Sequence, residues 1–148
     1  MSNDLPGTEK ALRHYACAIL LRERRILLGK RAPHRKAYPG CWDLIGGRVE
    51  DGESIDQALH RELAEEIGIA PVSYESLCSV VDDSPQERGE AIYHMHLVRT
   101  WTGGEPTMMN DEHTVLTWLS IEQACALPGL ALAEYGKVFR RIGMNAGL

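Results

Sequence analysis

Three carboxylates, Glu62, Glu65 and Glu66, crowd a stretch of chain whose apolar residues recur at helical spacing. Steps of three and four residues place such side chains about 5–6 Å apart on one helix surface. At about 6 Å and an effective dielectric near 20, each like-charge pair opposes folding by about 3 kcal/mol. Arg61, four residues before Glu65, can offset one charge, and the surplus asks for a divalent cation. Oxygen donors without histidine or thiolate favour Mg²⁺, with Mn²⁺ as a substitute, over Zn²⁺.

The element that carries these acids is a helix from Ser54 to Ile67. Ser54-Ile55-Asp56-Gln57 spells a capping box and Gly68 stands where the helix must stop. On a wheel with Ile55 at zero, Ala58, Leu59, Leu63 and Ile67 fall near about 300°, 40°, 80° and 120°. Glu62 at about 340° and Glu66 at about 20° lie inside that apolar arc, and Glu65 at about 280° lies on its border. A solvated acidic face is the ordinary arrangement of such a helix. Here two acids share the dry side, where an unpaired carboxylate is several kcal/mol unfavourable.

Before the helix, His14–Leu21 and Arg25–Ala32 read as a β-hairpin around the charged turn Arg22-Glu23-Arg24, and Trp42–Ile45 as a short strand ending at Gly46-Gly47. After it come strands near Val72–Val81 and Ala91–Trp101, joined by a polar loop with Pro85 and Gly89, and a strand over Thr114–Leu119. Ser120-Ile121-Glu122-Gln123 repeats the capping-box spelling for a short helix. Pro128 precedes an amphipathic helix with Leu132, Tyr135, Val138, Phe139 and Ile142. The order predicts an α/β fold, a mixed sheet covered by helices on two faces. Residues 1–10 read as a flexible leader and 11–148 as one domain.

The 148 residues carry 16 Lys+Arg against 21 Asp+Glu, a net charge of −5, which offers no global attraction for a nucleic-acid polymer. No run approaches the roughly 18 apolar residues of a membrane span, and the amino terminus lacks a signal pattern, so the cytoplasm is expected. Cys17, Cys41, Cys78 and Cys125 form no C-x-x-C pair and read as small buried hydrophobes.

From Gly47 the chain runs Gly47-x5-Glu53-x7-Arg61-Glu62-Leu63-x-Glu65-Glu66-x-Gly68-Ile69. This resembles the Nudix box at every defining position, and the compact length together with Tyr38-Pro39-Gly40-Cys41-Trp42 is similar to the MutT-like members. The resemblance implies an α/β/α sandwich and a metal-dependent pyrophosphohydrolase that cleaves a diphosphate bond of a small nucleotide by water attack on phosphorus. It implies Glu65 and Glu66 as metal ligands, with Glu62 either a ligand or the base. It also implies Glu53 in support and paired with Arg61, the Gly46 carbonyl as a further ligand, and Glu112 or Asp111 as a later acid. No G-x-x-x-x-G-K-[S/T] loop is present, so metal and basic side chains must hold the phosphates.

Lys30, Arg31, Arg35 and Lys36 form a basic cluster suited to phosphate, the arginines by bidentate contact. Trp42, with Tyr38, Tyr93 and Trp118, is a candidate platform for a base. His94 and His96 alternate along a strand and could form a metal pair. A nucleoside triphosphate or an oxidised relative is the expected substrate. Pro85, 16 residues after Ile69, points instead to ADP-ribose or another nucleotide sugar. A non-catalytic nucleotide sensor is a third reading, and an isoprenoid diphosphate isomerase using Cys41 a fourth. A homodimer is a further expectation.

Overall fold

The computed structural model describes residues 12–82 and 90–145. The expected leader, the Pro85–Gly89 loop and the Pro85 spacing fall outside the described residues. Strand β1 (Arg13–Arg22) occupies the middle of a mixed sheet. It runs parallel to β6 (Ala91–Thr102) from Arg13 to Leu20 and antiparallel to β4 (Ile45–Arg48) from Tyr15 to Ala18. Strand β5 (Ala70–Asp82) lies outside β6. Strand β2 (Arg25–Arg31) meets β1 only at the hairpin tip, then pairs with β7 (His113–Ser120) and β3 (Trp42–Asp43). At the tip Glu23 and Arg24 both have positive φ, 51° and 68°, as a two-residue turn matched to strand twist demands.

Period-two alternation along β1 feeds two separate cores. Ala16, Ala18 and Leu20 face helix α1 (Ile55–Ile67), where they meet Leu59, Leu63 and Ile67. Cys17 and Ile19 face the other side, against Tyr135, Phe139 and Ile142 of helix α3 (Tyr135–Asn145). The short helix α2 (Ile121–Cys125) packs against α3. This is the expected sandwich, a mixed sheet between helices.

Both predicted capping boxes form: the Ser54 hydroxyl accepts from the Gln57 N–H at 3.0 Å, and Ser120 does the same for Gln123 at 3.0 Å. Three expectations need correction. The single strand predicted at Trp42–Ile45 is broken at Leu44, because β3 pairs with β2 whereas β4 pairs with β1. Leu132 lies in the turns before α3, and the helix starts only at Tyr135. Cys17 alone of the cysteines is buried; Cys41, Cys78 and Cys125 are half-buried. No helix among the described residues is long and apolar enough to cross a membrane.

Candidate active site

Helix α1 is anchored at both ends beside the sheet. Its capping box sets the start, and near its end the backbone N–H groups of Thr107 and Met109 donate to the carbonyls of Ile67 and Glu66 at 3.1 and 2.9 Å. The wheel's forecast holds: Glu62 and Glu66 are buried with the apolar stripe, and Glu65 is exposed.

Arg61 organises the acids. Its Nε and Nη2 donate to both Glu53 oxygens at 2.7 and 3.0 Å, and Nη2 also reaches the Arg48 carbonyl at 2.9 Å. Its Nη1 donates to Glu62 at 2.7 Å and to Glu65 at 3.3 Å. The guanidinium, with a further backbone N–H from Glu50, holds the Glu53 carboxyl down to about 2. Glu53 is therefore paired with Arg61.

Glu66, beside Glu62, receives no bond from Arg61. It is 2% exposed, and neither carboxylate oxygen has a hydrogen-bond partner among the described residues. Burial first, then the neighbouring acids Glu62, Glu112 and Asp43, push its pKa up to about 11. The nearest base is His113, whose Nδ1 lies 3.7 Å from Glu66 Oε1. Burial and the charges of Arg31 and Arg35 lower that imidazole to about 4, so it is neutral and supplies no counter-charge.

Beside α1 the glycine pair of β4 makes room. A Cβ on Gly47 would stand 2.4 Å from the Glu62 carboxyl carbon, so only glycine lets that acid lie against the strand. A Cβ on Gly46, which has φ +154°, would stand 2.1 Å from the Ala16 carbonyl oxygen. The two should respond differently to alanine. Gly46→Ala collides with the backbone of the central strand and should lower the melting temperature steeply. Gly47→Ala meets only the end of a side chain and should leave folding largely intact while displacing Glu62 and lowering turnover. Thermal melts read beside activity check the pair; equal stability losses in both would contradict this account.

A cleft of about 490 Å³ opens at this point, lined by Gly46, Gly47 and Glu62 on one side and Arg31, Arg35 and Lys36 on another. Glu112 reaches it and accepts from Arg35 at 2.8 Å, whereas Asp111 is 90% exposed near His34. Glu112 is thus the later acid that the fold brings to the cleft.

Several expected residues stand elsewhere. Lys30 is exposed and lies 5.9 Å over the Trp42 ring, and neither lines the cleft, because Trp42 packs into the α3-side core. His94 and His96 do not form a metal pair: His96 Nδ1 lies 3.1 Å from the Cys17 carbonyl, and His94 bonds His14 at 2.9 Å and Ser79 at 3.1 Å. Cys41 does not line the cleft, which removes the geometric basis for an isomerase cysteine.

Sequence reasoning missed Asp43 and Tyr15. Half-buried Asp43 accepts from Arg31 at 3.1 Å, Tyr135 at 2.6 Å and the Leu44 N–H at 2.8 Å. An acid inside the apolar run Trp42-Asp43-Leu44-Ile45 was the available signal. Tyr15 stacks on Tyr93 with ring centroids 4.7 Å apart, and both line the cleft. Their pairing depends on strand register, which spacing does not show.

The donor set suits a hard divalent cation. Glu62 and Glu112 offer oxygen in the cleft and Glu66 adjoins Glu62, and a desolvated carboxylate with two unpartnered oxygens is what such an ion would satisfy. Among the described residues no three His, Cys, Asp or Glu groups are already drawn together at metal-binding spacing, since Arg61 holds Glu62 and Glu65.

Comparison with known proteins agrees with this geometry. A family profile described as the NUDIX domain matches residues 11–142. The chain is 38% identical over 113 residues to the CTP pyrophosphohydrolase of Escherichia coli K12, covering 75% of this chain and 78% of that one. It is 34% identical over 118 residues to the nucleoside triphosphatase NudI of Klebsiella pneumoniae, covering 74% and 83%. The crystal structure of a MutT NUDIX hydrolase from Burkholderia pseudomallei superposes with a TM-score of 0.76 at 30% identity, covering 89% of this chain and 98% of that one. The acid-bearing helix, its glycine strand and these likenesses together place the chain in the NUDIX family of hydrolases.

Proposed function

We propose that this chain is a Mg²⁺-dependent pyrophosphohydrolase of nucleoside triphosphates, oxidised ones included. One observation supports it most: Glu66 is buried with neither oxygen hydrogen-bonded among the described residues, and it adjoins Glu62, which lines a cleft shared with Arg31, Arg35 and Lys36. Acids for a cation and bases for phosphates thus line one space of about 490 Å³. The names of the relatives, a CTP pyrophosphohydrolase and a nucleoside triphosphatase, favour a triphosphate.

Glu62, Glu65, Glu66, Glu112 and the Gly46 carbonyl are the proposed ligands. A bound divalent ion supplies charge neutralisation at the phosphates and lowers the pKa of water. Glu62, lying over Gly47, is placed to ligate it or to take the proton of the attacking water. Arg61, clamped by Glu53, keeps Glu62 and Glu65 oriented. Arg35 and Lys36 meet the phosphates, and Arg31, tied to Asp43 and the Ala37 carbonyl, stiffens that wall. The Tyr15–Tyr93 stack is the aromatic surface offered to a base.

A panel of nucleoside triphosphates, oxidised nucleotides, nucleotide sugars and dinucleoside polyphosphates, assayed with Mg²⁺ and Mn²⁺, tests the proposal. Release of pyrophosphate and monophosphate from a triphosphate is the expected outcome. Cleavage confined to the sugar nucleotides would refute the substrate class. Tight nucleotide binding with no cleavage of any member would refute hydrolysis and favour a sensor.

A further inference from the structure

We infer that His113 is a positioning residue for Glu66: its imidazole, set into a notch at Gly29, orients that carboxylate and so tightens divalent-metal binding. The inference rests on the proposed role of Glu66 as a metal ligand.

Three observations carry it. First, the two side chains are sealed together, 5% and 0% exposed, with His113 Nδ1 3.7 Å from Glu66 Oε1. A further approach of about 0.8 Å makes a hydrogen bond. Second, both are short of partners: neither Glu66 oxygen nor His113 Nε2 is bonded among the described residues. A carboxylate that turns one oxygen to a cation keeps a second to accept from an N–H, and groups that donate in this way typically govern metal affinity by about 10–100-fold. The tautomer with its proton at Nδ1 meets that need.

Third, the fold makes a place for this ring. A Cβ on Gly29 would stand 2.5 Å from His113 Cδ2 and 2.9 Å from Cγ, so β2 must carry glycine there for the imidazole to lie flat on it. Strand β7 starts at His113, which pairs with Arg31 across a register shift at Lys30 and Arg31. The segment leading to it is tied to the end of α1 through Met109 N–H and the Glu66 carbonyl. Ring and carboxylate are therefore fixed from both sides. A mere space-filling ring at this position would be served equally by an apolar side chain. A buried imidazole with its Nδ1 3.7 Å from a carboxylate that has no hydrogen-bond partner among the described residues is not explained by filling alone.

The experiment is Mn²⁺ binding to metal-stripped full-length protein without nucleotide, read by electron paramagnetic resonance, with thermal melts in parallel. His113→Leu should weaken Mn²⁺ binding about 10–100-fold, and His113→Asn, whose amide can donate from near the Nδ1 position, should restore most of it. Gly29→Ala, which retains the imidazole but displaces it, should weaken binding in the same way and decides the matter if His113→Leu does not fold. Wild-type affinity in His113→Leu, or in Gly29→Ala, would overturn the inference, as would His113→Asn binding no better than His113→Leu. Those results leave the metal role of Glu66 standing. No Mn²⁺ binding by the wild type, or unchanged binding in Glu66→Gln, removes that role and the inference together.

Discussion

Glu66→Gln is expected to reduce kcat/KM by on the order of 10³-fold, several kcal/mol of transition-state stabilisation, while making the metal-free protein more stable. The two effects have one cause. In the fold Glu66 titrates at about 11 against an ordinary value of 4.5, because burial and its acidic neighbours oppose ionisation. The unfolded chain ionises this group above 4.5, and the metal-free fold retains the proton until about 11. Stability is therefore undiminished by Glu66 below 4.5 and declines as pH rises between the two values. At pH 7 the proton gained on folding opposes it by about 3 kcal/mol, at 1.36 kcal/mol per unit. Glutamine has no proton to gain. In EDTA the variant should melt about 5 °C or more above the wild type at pH 8, and the gap should close toward pH 4.5. A gap independent of pH, or full turnover in the variant, would refute the assignment.

Arg61→Met has the second large effect, in the opposite direction on stability. The methionine keeps an apolar stem and removes the one cation shared by Glu53, Glu62 and Glu65. Glu62, with its side chain 11% exposed, then faces buried Glu66 uncompensated. Stripping one partner from a partly buried network of this kind destabilises by about 2–4 kcal/mol. Turnover should fall by about 10² or more, since Glu62 and Glu65 lose their orientation. The pH dependence identifies the partner. Glu53 is depressed to about 2, so its contribution is present above 4.5 and is lost as pH falls through about 2. Urea unfolding at pH 7 and pH 3 should show the stability gap between wild type and Arg61→Met narrowing as pH falls, since the Glu66 effect is common to both proteins and the Glu53 contribution belongs to the wild type. A variant with the wild-type midpoint at pH 7 would contradict the network.

How far the chain could be read without its fold differs residue by residue. The Ser54–Gly68 helix was legible end to end because its capping and its apolar period are local. The same period placed Glu62 and Glu66 on the dry face and Glu65 at the edge, as the structure has them. The basic cluster was legible as a cluster only. Arg31, Arg35 and Lys36 turn to the cleft and Lys30 does not. That division depends on the course of the loop after β2, which carries no period.

By itself, then, the sequence determined the acid-bearing helix, the acids on its buried face, the hairpin and the alternating order that yields a sheet between helices. These follow from interactions within a few residues: caps, turns and the 3.6- and two-residue repeats. Tertiary structure alone decided that Trp42–Arg48 divides between two partner strands, that Glu112 and not Asp111 reaches the cleft, that Asp43 and Tyr15 line it, and that His113 lies against Glu66. It also decided that Glu66 has no hydrogen-bond partner among the described residues, since whether a buried oxygen is satisfied depends on what the rest of the chain folds against it. Periodicity tells which way a side chain faces; only long-range packing supplies what it meets there.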